Sequence, residues 1–168
     1  MQLKEIDKPR YRKHLNRVII AFVASLTCMA LIFGYLFIAM FSEPGADNFK
    51  LNLAGALVAL VICGAALNKL KGSAYFYEIY YVWQLKQLQN QIYRKLKKIK
   101  KATAADNMQA VGILHFYYTS LRQVYLLDDN TLTMSKVNAD LATLQGKAKV
   151  EGVDLEQLIF DKQDLKNF

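Results

Sequence analysis

VIIAFVASLTCMALIFGYLFIAMF, residues 18–41, is followed after a short polar stretch by LNLAGALVALVICGAAL, residues 51–67. Neither run holds a charged residue. A helix needs about 20 such residues to cross a bilayer. At a rise of about 1.5 Å per residue the first run reaches roughly 36 Å, enough to cross with some tilt. The second reaches roughly 25 Å and recruits residues 68–70, its Lys69 ammonium extending back to the headgroups. A buried helix of a soluble domain is the alternative for the second run taken alone. Pairing with the first run argues against it.

The first run does not have the form of a cleavable signal peptide. Its charged lead is long, its apolar stretch exceeds the usual length, and FSEPGAD offers no small-residue cleavage site. It is expected to be an uncleaved signal anchor. Orientation follows from Lys and Arg. The lead holds Lys4, Lys8, Arg10, Arg12, Lys13 and Arg17, whereas loop 42–50 holds only Lys50, beside Glu43 and Asp47. Both termini are therefore expected in the cytoplasm, with the loop in the periplasm of a bacterium; a eukaryotic organelle membrane is the alternative.

Three parts result: a basic cytoplasmic segment 1–17, a transmembrane hairpin 18–70 with spans 18–41 and 51–70, and a cytoplasmic helical domain 71–168. The expected fold is all-α, the hairpin being followed by a cytoplasmic helical bundle or a long antiparallel helical hairpin. Pro44-Gly45 marks the hairpin turn, and Asp47 or Asn48 can cap the second helix. Beyond Gly72-Ser73, Leu85, Leu88, Ile92, Leu96 and Ile99 recur at helical spacing. A break near residues 102–105 and a cap at Asp106 open the next helix, with Val111, Leu114, Tyr118, Leu121 and Tyr125 on one face. Asp128-Asp129-Asn130 stops it. Thr131 or Thr133 caps another, carrying Met134, Val137, Leu141, Leu144 and Ala148. Gly152 ends that one, and Asp154 is expected to open a short last helix through Leu155, Leu158 and Ile159.

RKLKKIKK, residues 94–101, is the most function-like run: Arg94, Lys95, Lys97, Lys98, Lys100 and Lys101 are basic. Residues 69–101 hold nine Lys/Arg and one acid, Glu78; residues 102–168 hold six Lys/Arg and nine acids. The cluster could be a solvated face, meet an anionic lipid surface, bind nucleic acid or an acidic protein, or dock on the acidic bundle of its own or a neighbouring subunit. Lipid contact depends on the helix lying near the surface, because the attraction decays within about 10 Å. Tyr75, Phe76, Tyr77, Tyr80, Tyr81 and Trp83 are suited to the membrane–water interface, or to the core of the cytoplasmic domain. Gly55, Ala59 and Cys63 form a small-residue stripe for close helix packing, inside the hairpin or between copies. Ala21, Ser25 and Cys28, or Ala30 and Gly34, offer the same on the first span.

No catalytic signature emerges. Asp128 to Thr131 lack the spacing and distal Glu of a calcium loop, and capping explains them. His14 and His115 are isolated, His115 reading as a bundle histidine; Thr119 and Ser120 have no acid at a readable spacing. Cys28 and Cys63 lie in the spans, where a reactive thiolate is disfavoured. Neither a cofactor nor a metal is expected, nor enzymatic activity. With no charge inside either span, no ion path is visible.

The segments DKPRYRKHLNRV (7–18), YEIYYVWQLKQLQNQIYRKL (77–96) and LHFYYTSLRQVYLLDDNTLT (114–133) resemble a family of small bacterial inner-membrane proteins catalogued as a domain of unknown function. The resemblance covers nearly the whole chain. It implies a bacterial source and the two-span layout with a cytoplasmic tail, and it implies no activity, cofactor or catalytic residue. The expected role is a membrane-anchored interaction or scaffold protein. Its expected partners are the lipid bilayer including anionic lipids, a second copy of the chain, and a protein of unknown identity. A nucleic-acid tether acting through the basic helix is the alternative, and a small oligomeric channel a weaker one.

Overall fold

A computed structural model describes residues 3–168 and is all-helical among them. The elements are α1 (Lys8–Phe41), α2 (Phe49–Leu70), α3 (Tyr77–Ala104), α4 (Met108–Asp128), α5 (Met134–Val150) and a terminal 3-10 helix (Lys162–Asn167). The chain forms two compact units. One is Pro9–Tyr80; the other joins the residues up to Lys8 with Tyr81–Phe168. The unit holding the two apolar helices thus extends past residue 70, and the basic lead falls within α1 for most of its length.

In the first unit α1 and α2 are both long and apolar enough to cross a membrane. Pro9 is tolerated in α1 because the first-turn N–H groups have no intrahelical acceptor. The turn between the helices follows from Pro44-Gly45: Gly45 takes a positive φ of 80° and Ala46 N–H donates to the Glu43 carbonyl at 3.1 Å. The Asp47 carboxylate accepts the Phe49 N–H at 3.0 Å. Asn48 occupies the cap position without capping through its side chain; its Oδ1 accepts the Ser42 hydroxyl instead.

The helices meet where neither has a side chain. A Cβ placed on Gly55 would lie 2.4 Å from the Gly34 nitrogen, and one placed on Gly34 would lie 2.7 Å from Asn52 Oδ1. Ala59 and Cys63, one and two turns along from Gly55, are buried, and the Cys63 thiol reaches Met29 Sδ at 4.0 Å. The outward faces carry Ile20, Leu31, Met40 and Val61, all more than half exposed. An apolar surface of that extent calls for an apolar surrounding.

In the second unit α4 is the central helix. Between residues 110 and 118 every residue except His115 is buried, a wider face than the expected stripe. The Phe160 ring stacks on Phe116 at 4.3 Å. A Cβ on Gly112 would meet Leu158 Cβ at 3.3 Å. α3 contributes Leu85, Leu88, Ile92 and Ile99, all buried, with Leu96 half-buried. The Gln89 amide donates to the Ser120 hydroxyl at 3.2 Å, and that hydroxyl donates to the Tyr117 carbonyl at 2.8 Å. This buried polar pair is satisfied on both sides. α5 buries Val137, Leu141, Leu144 and Ala148, as its period requires.

Three boundaries differ from the sequence reading. α3 runs through to Ala104, and Asp106 is the left-handed residue that closes it, with φ 58°, Asp106 N–H to Thr103 O and Asn107 N–H to Ala102 O. The cap of α4 is Asn107, whose side chain accepts the Ala110 N–H. Thr133 precedes α5 without a side-chain capping bond. No helix forms at residues 155–159. The Asp154 carboxylate there takes the Glu156 N–H at 3.0 Å and holds a turn. The terminal helix starts later, where Asp161 and Asp164 form a reciprocal capping box.

Replacing Gly55 by Ala should destabilise the detergent-solubilised chain by about 1–3 kcal/mol through overpacking. Gly64→Ala, where an added Cβ meets nothing within 4 Å, should be neutral or stabilising by up to about 1 kcal/mol. Thermal unfolding followed by circular dichroism separates the two, and equal midpoints would remove the glycine contact as the determinant of hairpin packing.

Candidate functional site

Helical geometry sorts the basic residues of α3 into three directions. With Leu88, Ile92 and Ile99 facing inward, Arg94, Lys97, Lys98 and Lys101 fall on the opposite side at i, i+3, i+4 and i+7, and all four are exposed. Lys95 and Lys100 flank the buried stripe. The Lys95 ammonium donates to the Leu165 carbonyl at 2.6 Å. Lys100 lies 5.8 Å from the centroid of the Tyr118 ring. Its hydrogen bond to Tyr118 holds it above the ordinary 10.5, against the effect of partial burial, while burial pushes the Tyr118 phenol up.

None of these six residues makes an ion pair among the described residues. Among the described residues no ion pair docks the run on the acidic helices of its own chain, although the Asp140 carboxylate helps hold Lys100 above 10.5. Three acids of the second unit are engaged elsewhere: Asp128 with Lys86 at 2.6 Å, Asp106 with Lys147 at 2.7 Å, and Asp129 with Lys8. Asp128, Asp129 and Asn130 thus serve helix termination and ion pairing. Arg94 and Lys95 also border a recess of about 610 Å³ with Lys162 and Lys166, where Asp161 is the acid present. What results is an elongated basic face with little internal compensation.

The aromatic group divides. Tyr81 is buried in the second unit, its hydroxyl accepting the Lys4 N–H at 2.9 Å, so it lies on no outer face. Trp83 and Tyr77 are about half exposed. Tyr80 lies beneath the Lys71 ammonium at 5.9 Å. Tyr75 stacks on His14 with centroids 4.0 Å apart, and Phe76 is tilted against Tyr75. Gly55, Ala59 and Cys63 are buried in the first unit, Gly55 against Gly34, while Cys28 is exposed.

Sequence reasoning missed one cluster in the first unit. Glu78, with a side chain only 9% exposed, lies 3.4 Å from Arg10 Nε, and its second oxygen is 3.8 Å from His14 Nδ1. That His14 nitrogen is also 3.1 Å from the Tyr75 carbonyl. Its signal was in the sequence: Glu78 is the single acid among residues 69–101, and Arg10 and His14 are one helical turn apart.

His115 is half-buried, and burial lowers its pKa below 6.5 with Glu156 opposing. The Thr119 and Ser120 hydroxyls donate to helix carbonyls at 2.8 Å. Burial pushes the Tyr117 phenol up to about 12. Among the described residues no three His, Cys, Asp or Glu side chains gather as metal ligands.

A histidine with a depressed folded pKa stabilises the fold above its unfolded value and loses that contribution as pH falls through 6.5. The unfolding midpoint should therefore drop between pH 7 and pH 5, and His115→Gln should flatten that drop. Identical pH profiles for the two proteins would show that the ring is not held neutral by burial.

No curated protein and no solved structure matches the chain. The profile of the family described as protein of unknown function DUF3087 matches residues 1–165. The chain belongs to that family.

Proposed function

We propose that this protein is a membrane-anchored interaction protein whose cytoplasmic helical unit presents a basic face to an acidic protein partner. α1 and α2 span a bacterial inner membrane, and both termini lie in the cytoplasm. The support for orientation is the distribution of Lys and Arg, six in the lead and one in the loop region at Lys50. The anchoring role rests on two helices with apolar outer faces and no internal charge. Such spans hold a protein in place without offering a path for ions or protons.

The observation that carries the interaction reading is the exposed stripe Arg94, Lys97, Lys98 and Lys101, which has no carboxylate partner among the described residues. Four like charges on one helix face repel one another. A complementary acidic surface relieves that repulsion and speeds association. The same stripe disfavours self-association face to face, and the partner proposed is a different, acidic protein.

The defined probes are polyglutamate and a 30-nucleotide RNA, each titrated against the full chain in a non-ionic detergent. Polyglutamate should bind in a salt-sensitive manner, and Arg94→Glu with Lys97→Glu, Lys98→Glu and Lys101→Glu should weaken it at least tenfold, about 1.4 kcal/mol. Unchanged binding by the variant would make the stripe a solvated face. RNA bound tightly in preference to polyglutamate would replace the acidic protein with nucleic acid as the partner.

A further inference from the structure

The close contact at Gly34 and Gly55 does not continue along the whole hairpin. Towards the charged end of α1 the two helices leave an apolar groove of about 340 Å³. Its walls come from three segments. Arg17, Ala21 and Ser25 line it from α1, and Cys63 and Leu67 from α2. Tyr75, in the turn after α2, adds the third wall. Arg17 to Ser25 spans eight residues of helix, so the groove runs about 12 Å from the basic end into the apolar region.

Its polar end is cationic. Arg17 lines the groove there and makes no ion pair among the described residues. Lys13 precedes Arg17 by one turn, and Lys69 sits near the end of α2; both are exposed and likewise unpaired among the described residues. Glu78, three residues beyond Tyr75, is buried and lies beside Arg10 and His14. The Tyr75 wall is held by the His14 stack and by His14 Nδ1 at the Tyr75 carbonyl.

We infer that this groove is a site for one anionic phospholipid, with an acyl chain between α1 and α2 and the phosphate on Arg17. An apolar trough with a cation at its mouth is complementary to an amphiphile with an anionic head, and to neither a soluble anion nor a neutral hydrocarbon. Arg suits a phosphate because its planar fork donates two parallel hydrogen bonds. The buried Glu78 matters here, because an exposed carboxylate at the mouth would neutralise Arg17. The inference rests on the membrane-spanning reading of α1 and α2 and is independent of the basic stripe on α3.

The full chain, delipidated in a non-ionic detergent, is titrated with dioleoylphosphatidylglycerol and dioleoylphosphatidylcholine, and bound lipid is counted by native mass spectrometry. One phosphatidylglycerol per chain should be retained, with a preference of about fivefold for each basic side chain engaged. Arg17→Glu should abolish the preference. Ala21→Trp should fill the groove and remove retained lipid of either kind, whereas Val23→Trp, on the opposite face of α1, should not. Equal retention of both lipids by the unaltered chain, or wild-type retention by Arg17→Glu and Ala21→Trp, would overturn the site. A chain that stays soluble without detergent would overturn the membrane reading as well. The α3 charge-reversal variant should retain lipid normally, so a failure of the acidic-partner reading leaves this result intact.

Discussion

Close approach of backbone to backbone at Gly34 and Gly55 is the constraint on which the apolar half of the molecule depends. In the membrane setting proposed for α1 and α2, no hydrophobic effect pushes two apolar helices together, and their association rests on packing. Dispersion gains require contact at van der Waals distance, and a gap of even 1 Å forfeits much of them. A Cβ at Gly55 would overlap the Gly34 backbone. Once the helices are pinned there, the burial of Ala59 and Cys63 follows from their place on the same face of α2. The groove further along is where that intimate contact gives out.

The second unit is organised by a different logic. α4 is buried almost all the way round over residues 110–118, so its neighbours must supply the polar surface. They do so unevenly. Asp106 and Asp129 both occupy left-handed positions at helix ends, and both are joined to lysines, Lys147 and Lys8. Asp128 is joined to Lys86. These acids sit where helix termination needs them, close to cations that answer them locally. The outer face of α3 is left with Arg94, Lys97, Lys98 and Lys101 and no counter-charge among the described residues.

Much of this was legible from period and composition. The apolar runs, the turn at Pro44-Gly45 and the stripes on α3, α4 and α5 follow from simple spacing rules. Where α3 stops was not, because Asp106 looks like a cap and acts as a left-handed terminator, a role more often taken by Gly. The stretch 155–159 misled because three apolar residues at helical spacing are too few to extend the turns that follow Asp154, Gln157 N–H to the Asp154 carbonyl and Leu158 N–H to the Leu155 carbonyl, into a helix. The Glu78 cluster was hidden by distance: Arg10 and His14 are more than sixty residues from it, and spacing rules reach only along one helix. The split of the basic run into a stripe and two flanking lysines was available from the helical angle alone. That no acid answered the stripe was not, since this depends on where the chain folds back.

The turn between α1 and α2 bears on how the hairpin reaches its place. Residues 42–48 contain Glu43 and Asp47 and no basic residue, Lys50 already lying in the first turn of α2. In the topology proposed for this chain, those few residues and Lys50 are all that must be carried across the bilayer, a single cation against the six of the lead. The two helices can then enter together as a preformed pair, with the many cations at the other end acting as a brake that stays behind. In that topology the small turn lets membrane entry be a single concerted step in place of two successive ones.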